Sequence, residues 1–92
     1  MKVFKYPLEL ADKIVLKMPE NAQMLCVQVQ YGSVCLWAAV DPEAPDEKRT
    51  IYVRGTGHEL GMAAVSKYIG TFQLTGGALV FHVFDGGSSP FE

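Results

Sequence analysis

Trp37, Gln28 and Gln30 have the side chains needed to hold a flat, polar ligand. A tryptophan ring can stack on a planar group, and the two amides can donate and accept hydrogen bonds at its edge. Apolar or aromatic residues recur at every second position before and after Gly32-Ser33, at 25 to 31 and at 34 to 40, which predicts two strands with the three candidate side chains together on the other face. The alternative is that a second layer of the domain or a second subunit covers this face.

A second candidate site is the turn Gly55–Gly57, where Thr56 stands between two glycines. Glycine permits positive φ, so the N–H groups around Thr56 and Gly57 can converge on an anion. Arg54 and His58 flank the turn and would add charged donors. The motif is too short for a phosphate-binding loop, and the alternative is an ordinary turn.

A third candidate site consists of Thr71, Gln73 and His82, whose side chains would form hydrogen bonds with the polar edges of a ligand. Thr71 and His82 are predicted to face each other across a hairpin near the end of the chain. The alternative is that His82 is a structural histidine, hydrogen-bonded to its neighbours.

Acid–base and nucleophilic groups are present, but none has a catalytic spacing. His58, His82 and Asp85 could transfer protons, and Ser66 or Cys35 could attack a substrate, yet no pair matches a known catalytic motif. The two cysteines and two histidines lack the close spacing of a zinc site. We therefore expect neither an enzyme nor a metal or cofactor site.

Size and composition limit the possible functions. The chain of 92 residues fits one β domain, residues 1–92, and its apolar fraction of 49% allows a packed core. Only 20% of the residues are charged, which favours a buried interface in a homo-oligomer. The net charge of −2 argues against nucleic-acid binding. No apolar run could span a membrane, and the first residues lack a signal-peptide core, so we expect a cytoplasmic protein.

A β-hairpin over Met24–Val40 would position the first candidate site. Glycine suits the first central residue of a type II′ turn, which predicts a turn at Gly32-Ser33. This turn gives four apolar or aromatic pairs on the core face: Tyr31 with Val34, Val29 with Leu36, Val27 with Ala38, and Leu25 with Val40.

The same register predicts the pairs on the other face. It places Gln28 opposite Trp37 and Gln30 opposite Cys35. Cys26 would then lie roughly 13 Å along the strand from the level of Cys35. A disulfide needs Cα atoms within about 7 Å, so we expect two free thiols, as in a reducing cytosol.

A second hairpin is predicted over Tyr68–Phe84, with its turn at Gly76-Gly77. Its core face would pair Phe72 with Phe81, Leu74 with Leu79, and Gly70 with Val83; its other face would pair Thr71 with His82 and Gln73 with Val80. Asp85–Glu92 is rich in glycine and serine, which predicts a frayed tail.

The other predicted strands are Val3–Leu8, Leu10–Met18 and Thr50–Arg54. In the second of these strands, Ile14 and Leu16 would face inward. The pattern predicts about seven strands and at most one short helix. The expected fold is therefore mostly β, either a small antiparallel sandwich or a partly open barrel.

Two connections complete the predicted organisation. Two prolines and six charges in Asp41–Arg49 predict an exposed loop. Leu60–Lys67 could form one or two helical turns, with Met62 and Val65 facing inward, although a glycine weakens that helix.

Several short motifs along almost the whole chain resemble a family of short bacteriophage and prophage proteins of unassigned function. The motifs are Lys5-Tyr6-Pro7-Leu8, Val27-Gln28-Val29-Gln30, Leu36-Trp37-Ala38-Ala39-Val40-Asp41, Gly55-Thr56-Gly57-His58, Tyr68-Ile69-Gly70-Thr71-Phe72-Gln73 and Phe81-His82-Val83-Phe84. No active residues are assigned to that family, so the resemblance transfers none.

The resemblance implies a phage origin, expression in the host bacterial cytoplasm and an accessory role. Small phage accessory proteins include sponges, oligomers that sequester nucleotide-derived immune signals without cleaving them. Cyclic ADP-ribose isomers and cyclic oligonucleotides are such signals. The resemblance therefore implies an anti-defence protein that binds a nucleotide-like small molecule as a homo-oligomer. The alternative is an interaction module that inhibits a host or defence protein by docking on it.

Overall fold

The computed structural model describes residues 1–90, which form mainly β-strands. The strands are β1 (Lys2–Pro7), β2 (Lys13–Pro19), β3 (Gln23–Gln30), β4 (Ser33–Val40), β5 (Asp46–Gly55), β6 (Lys67–Leu74) and β7 (Leu79–Pro90). Two short 3-10 helices, Gly61–Val65 and Thr75–Gly77, flank β6. No helix within residues 1–90 is long and apolar enough to cross a membrane.

The strands form two antiparallel sheets. The small sheet has the order β1-β4-β3, and the large sheet has the order β2-β5-β7-β6. Strands β3 and β6 contact each other along one side although they belong to different sheets. The predicted fold class is confirmed: residues 1–90 form a mostly β, antiparallel sandwich or partly open barrel of seven strands.

The core lies between the two sheets, because both contribute buried side chains to it. Its larger cluster contains Leu8, Val27, Val34, Leu36, Ile51, Phe72 and Val83. A smaller cluster contains Met18, Ala22, Ala38 and Val40. Tyr6 packs against both clusters. Burial raises the pKa of the Tyr6 phenol, and the negative charge of Asp46 raises it further.

The first hairpin forms, but its turn lies one residue earlier than predicted. The connecting residues are Tyr31 and Gly32, with φ of 50° and 79°. Positive φ at both central positions is the property of a type I′ turn, which matches the twist of the strands. The predicted type II′ turn at Gly32-Ser33 is therefore wrong.

The earlier turn shifts the pairing of β3 with β4 by two residues. Because side chains alternate with a period of two, this shift keeps Val27 and Leu36 on the core face, but the predicted core pair of Tyr31 with Val34 is wrong, since Tyr31 lies in the turn and is 97% exposed. The observed core pairs are Val29–Val34 and Val27–Leu36, not Val29–Leu36 and Val27–Ala38. The observed pairs on the other face are Gln28–Cys35 and Cys26–Trp37, not Gln28–Trp37 and Gln30–Cys35.

A bulge at Leu25 reverses the alternation at the start of β3. The ladder skips this residue between Met24 and Cys26. Leu25 is consequently 45% exposed, whereas Met24 packs against the core. The predicted pair of Leu25 with Val40 is wrong, because an extra residue turns Leu25 to the outer face.

The second hairpin confirms the predicted register from Gly70 to Leu79, and a bulge between Tyr68 and Gly70 shifts it at the start of β6. The observed pairs are Gly70–Val83, Thr71–His82, Phe72–Phe81, Gln73–Val80 and Leu74–Leu79. Phe72 and Phe81 stack, with ring centroids 5.5 Å apart. The Ile14 and Leu16 side chains of β2 also pack against the core, as predicted.

The polar stretch Asp41–Arg49 is only partly a loop, because β5 begins within it. Arg49 is buried and its guanidinium is 2.8 Å from both Asp85 Oδ2 and the Ala22 carbonyl oxygen, to which it donates. Its Nε lies 3.5 Å from Glu47 Oε2, without a hydrogen bond. The exposed-loop prediction is therefore wrong for the last four residues.

The predicted frayed tail is also wrong up to residue 90. Strand β7 continues past a bulge and pairs with β5 as far as Pro90. Asp85 holds this extension, since it accepts hydrogen bonds from Arg49 and from the N–H of Gly87 at 2.9 Å. The last two residues of the predicted tail lie outside the described residues.

The predicted helical segment is a single 3-10 helix, Gly61–Val65, packed against β5 and β7. Its buried residue is Ala63, whereas Met62 and Val65 are 59% and 81% exposed. The predicted inward direction of Met62 and Val65 is wrong, because a helix this short buries only one position. The helix covers part of the outer face of the large sheet.

Candidate functional site

An open groove on the outer face of the small sheet has Trp37 as its largest side chain. Trp37 points away from the core, since its neighbours Leu36 and Ala38 are fully buried. The groove has a volume of about 320 Å³ and is lined by Val3, Leu25, Cys26, Gln28 and Trp37. Val3 and Leu25 are 60% and 45% exposed, so its apolar walls face solvent. We name it the Trp37 groove.

Lys5 places a positive charge beside the Trp37 groove. The pairing of β1 with β4 puts Lys5 directly opposite Trp37. Its Nζ donates to Gln30 Oε1 at 3.1 Å, so one of the two predicted amides is already engaged. Gln28 is exposed, and its Nε2 lies 4.0 Å from Cys26 Sγ. The groove thus combines an aromatic plane, an available amide and a nearby ammonium group.

Both cysteines are free thiols. They lie closer together than predicted, because Cys35 faces Gln28, only two residues along β3 from Cys26. Cys26 is partly exposed at the groove, whereas Cys35 is buried with its Sγ 3.6 Å from the Ser33 carbonyl oxygen. Only Cys26 can therefore contact a molecule in the groove.

The turn after β5 uses two of its N–H groups within the chain. Thr56 donates to the carbonyl of Val80 and His58 donates to the carbonyl of Gly55, both at 3.1 Å. Gly57 has a φ of 88°, as the sequence suggested. The turn is thereby fixed against β7, and those two N–H groups are not directed at a common anion.

The His58 ring folds back over the turn rather than extending into solvent beside Arg54. A Cβ atom on Gly55 would lie 3.0 Å from the ring. The same ring borders a cavity of about 200 Å³ at the end of the core, together with Val53 and Phe81. The His58 ring thus lies against Gly55 at the edge of this cavity, and the residue remains exposed.

Arg54 is held entirely by backbone carbonyl groups. Its Nε donates to Leu60 at 2.9 Å, and its Nη1 donates to Asp12 at 2.7 Å and to Val53 at 3.0 Å. The guanidinium also lies over the Tyr52 ring, 5.2 Å from its centroid. Arg54 thus fastens two connections to β5 with three of its five N–H groups, which leaves the Nη2 amino group for another acceptor.

Three predicted site residues meet in one line of hydrogen bonds on the outer face of the large sheet. Tyr68 Oη lies 2.6 Å from Thr71 Oγ1, which lies 2.9 Å from His82 Nδ1. His82 Nε2 in turn lies 2.8 Å from Thr56 Oγ1. We name this line the hydroxyl–imidazole chain. Each hydroxyl can donate or accept, so either tautomer of the imidazole satisfies it.

Tyr68 is the member of this chain that the sequence did not reveal. A bulge in β6 lies between Tyr68 and Gly70. The extra residue puts Tyr68 on the same face as Thr71, although strict alternation would put them on opposite faces. Gln73 is exposed on that face as well and pairs with Val80.

The hydroxyl–imidazole chain has only part of the geometry of a hydrolytic site. Thr56 is within hydrogen-bond reach of the imidazole, as a nucleophile is of its base. The other ring nitrogen of His82, however, contacts a threonine hydroxyl, whereas the triads use a carboxylate there to stabilise the imidazolium. None of the four residues of the hydroxyl–imidazole chain carries that negative charge.

The ten predicted site residues therefore fall into three places. Trp37, Gln28 and Gln30 lie on the small sheet, whereas Thr56, Thr71, Gln73 and His82 lie on the outer face of the large sheet. Arg54 lies on β5 directly opposite His82, and Gly57 and His58 belong to the turn after β5. Within the described residues, no group of three or more His, Cys, Asp or Glu side chains could hold a metal ion.

The chain matches one family model, described as a domain of unknown function (DUF7352), over residues 1–90. No curated protein matches the chain, and no solved structure matches it.

Proposed function

The chain belongs to the DUF7352 family, a domain of unknown function, and we propose on the basis of its geometry that it binds a nucleotide-derived bacterial immune signal without cleaving it. The ligand is a cyclic ADP-ribose isomer or a cyclic oligonucleotide. The protein acts as a bacteriophage anti-defence sponge and works as a homo-oligomer in the host bacterial cytoplasm.

The observation that carries this proposal is the Trp37 groove. Its volume of about 320 Å³ lies at the lower end of the range of ligand pockets, about 300–1,000 Å³. A nucleobase can stack on the Trp37 ring, since stacking on aromatic side chains tolerates every base. Gln28 is exposed at the rim, where its amide can pair with the donors and acceptors of a base edge.

Lys5 supports the nucleotide character of the ligand. Lys5 pairs with Trp37 across β1 and β4, and its ammonium group currently bonds to the neutral amide of Gln30. A phosphate oxygen would be a stronger acceptor, because its negative charge adds a direct attraction to the ammonium group that a neutral amide lacks. A nucleotide with its base on Trp37 could therefore exchange the Gln30 contact for a phosphate contact.

The position of the hydroxyl–imidazole chain supports binding without cleavage. Thr56 and His82 belong to the large sheet, whereas the Trp37 groove is on the outer face of the small sheet. A ligand in the groove would therefore not meet that hydroxyl or that imidazole. The expected mass of the ligand after prolonged incubation is unchanged.

Replacing Trp37 by alanine is expected to weaken binding of the ligand by about 5- to 150-fold, since stacking of a base on an aromatic ring contributes about 1–3 kcal/mol. Isothermal titration with cyclic ADP-ribose isomers and cyclic dinucleotides measures this. Trp37 is the single tryptophan, so its fluorescence gives a second readout.

Tyr31→Ala is the matched control for the titration. Tyr31 is an aromatic residue at a hairpin turn outside the groove and is 97% exposed. This variant should bind as tightly as the unmodified protein. The proposal fails if no compound of the panel binds, or if Trp37→Ala binds with unchanged affinity.

A second candidate function is inhibition of a host or defence protein by docking. The observation that favours it is the exposed apolar surface around the 3-10 helix, formed by Met62, Val65 and Tyr68, which are 59%, 81% and 56% exposed. Neighbouring exposed apolar side chains are common at protein interaction sites.

Val65→Lys is expected to abolish recovery of a host protein under this second candidate function, because a charge would be buried in the interface. Pull-down from host lysate measures the effect. Val15→Lys is the control, because Val15 is a similarly exposed valine (52%) on β2. A nucleotide that co-purifies without a stoichiometric protein partner would instead support the sponge.

A further inference from the structure

Strand β1 has one side without a partner among the described residues. It is the end strand of the small sheet and pairs only with β4. Five of its six residues are exposed. The backbone groups on its outer side therefore remain available for another strand.

The hydrogen bonds to β4 identify which backbone groups face the free side. The N–H of Leu8 donates to the carbonyl of Val34 at 2.9 Å, in line with the β1–β4 register. Hydrogen-bonded and non-hydrogen-bonded pairs alternate in an antiparallel ladder. Phe4 therefore bonds to β4, while Val3 and Lys5 direct their N–H and C=O groups outward.

Pro7 fits the same alternation. Pro7 has no N–H group. At its position in β1, the N–H group of any other residue would point away from β4, toward the free side. A proline at such a position leaves the ladder to β4 intact, as is usual for edge strands. The free side consequently offers a short ladder centred on Phe4, with Val3 and Lys5 as its donors and acceptors.

We propose that β1 pairs in antiparallel fashion with β1 of a second copy, about a twofold axis at Phe4, so that the two Trp37 grooves share one continuous sheet and bind one cyclic dinucleotide. The pairing follows from the free edge alone. The identity of the ligand rests on the proposed function.

The register follows from the side chains of β1. Pairing centred on Phe4 places Val3 of each copy opposite Lys5 of the other, which forms four backbone hydrogen bonds. The two Phe4 residues face each other as a non-hydrogen-bonded pair, where side chains are closest. The contact covers the Phe4 ring, which is 37% exposed in the single chain. A shift by two residues would either place Lys5 opposite Lys5 or leave part of β1 unpaired.

The paired sheet matches a ligand with two bases and two phosphates. Three strand spacings of about 4.8 Å and a two-residue offset put the two Trp37 Cα atoms roughly 16 Å apart. The two Lys5 residues lie between them on the same outer face. Their repulsion opposes the empty dimer, and a ligand with two negative charges would remove it. Binding of the ligand and pairing of the chains should therefore be coupled.

The pairing can be tested without any ligand by a cysteine at position 4. Phe4→Cys, in a Cys26→Ser background, should form a disulfide-linked dimer under mild oxidation, because Cα atoms at such a pair are about 4.5 Å apart. The mass on a non-reducing gel would double from 10.1 kDa. Val3→Cys is the matched control: two such residues would lie roughly 8 Å apart and should not cross-link.

Val3→Pro tests the free edge directly. It removes an N–H group that faces away from β4, so the small sheet should keep its thermal unfolding profile while the dimer is lost.

Sedimentation with and without cyclic di-GMP should give one ligand per two chains for the unmodified protein. Cross-linking of Phe4→Cys without ligand binding would retain the pairing and overturn the proposed function. Binding of one ligand per chain, with no cross-link at position 4, would overturn the pairing.

Discussion

Replacing Arg49 by methionine is expected to lower the free energy of unfolding by about 3–5 kcal/mol, as for the loss of one partner from a buried ion pair. The Arg49 side chain is 8% exposed and lies between Asp85 and Glu47, which are 15% and 14% exposed. Methionine would leave these two carboxylates partly buried without a cation and would also remove the donor to Ala22. Urea unfolding at neutral pH measures the change.

Two variants separate the ion pair from other effects at this site. Asp85→Asn combined with Arg49→Met should be less destabilising than the sum of the single changes, because the stranded charge is gone. Asparagine also keeps the oxygen that accepts from Gly87. Lys13→Met, which removes an exposed lysine, should change stability by less than about 0.5 kcal/mol. Additive effects of the first two changes would contradict this account.

Gly70→Ala is expected to destabilise the protein by about 1–3 kcal/mol through overpacking. A Cβ atom at this position would lie 2.9 Å from Cγ1 of Val27. Val27 is 4% exposed and belongs to the core, so it has little room to move. Gly70 is therefore required where β6 approaches β3, which can be measured by chemical denaturation.

Gln73→Ala is the control on the same strand, because Gln73 points outward and is exposed. It should leave stability nearly unchanged. Val27→Ala removes the methyl group that the new Cβ would meet, so the double variant should lose less stability than the two single changes together. A Gly70→Ala variant as stable as the unmodified protein would refute the close packing of β6 on β3.

The second hairpin could be predicted from Gly70 to Leu79 because its signals are local. Two adjacent glycines marked the turn, and only one register made Phe72 meet Phe81. The first hairpin carried an ambiguous signal, since Gly32 suits either central position of a two-residue turn. The structure uses Tyr31 with a positive φ, which is uncommon for a large side chain. Sequence alone favours the alternative with glycine first.

The start of β5 could not be predicted because its stability comes from distant residues. Prolines and charges in Asp41–Arg49 have the composition of a loop. Arg49 becomes buried only because Asp85, 36 positions later, accepts its hydrogen bond. A buried arginine and an exposed one look identical in a sequence until that partner is known.

The candidate sites were predictable to the extent that strand alternation determines them. Alternation correctly placed Trp37 and Gln28 on one face, and Thr71 and His82 on another. Lys5 was missed because its place beside Trp37 depends on the pairing of β1 with β4, two strands that are distant in sequence. Arg54 was assigned to an anion site from sequence, but the structure shows that carbonyl groups of the same chain occupy three of its five N–H donors.

The two arginines of the chain, Arg49 and Arg54, stand near opposite ends of β5 and are both committed to internal contacts. The cation placed opposite Trp37 is Lys5, a single charge on a flexible stem without the planar fork of a guanidinium. Such a charge accepts a phosphate in many orientations. Selectivity among anionic ligands would accordingly depend on the shape of the ligand ring that stacks on Trp37. Ionic strength would set the affinity for all of these ligands.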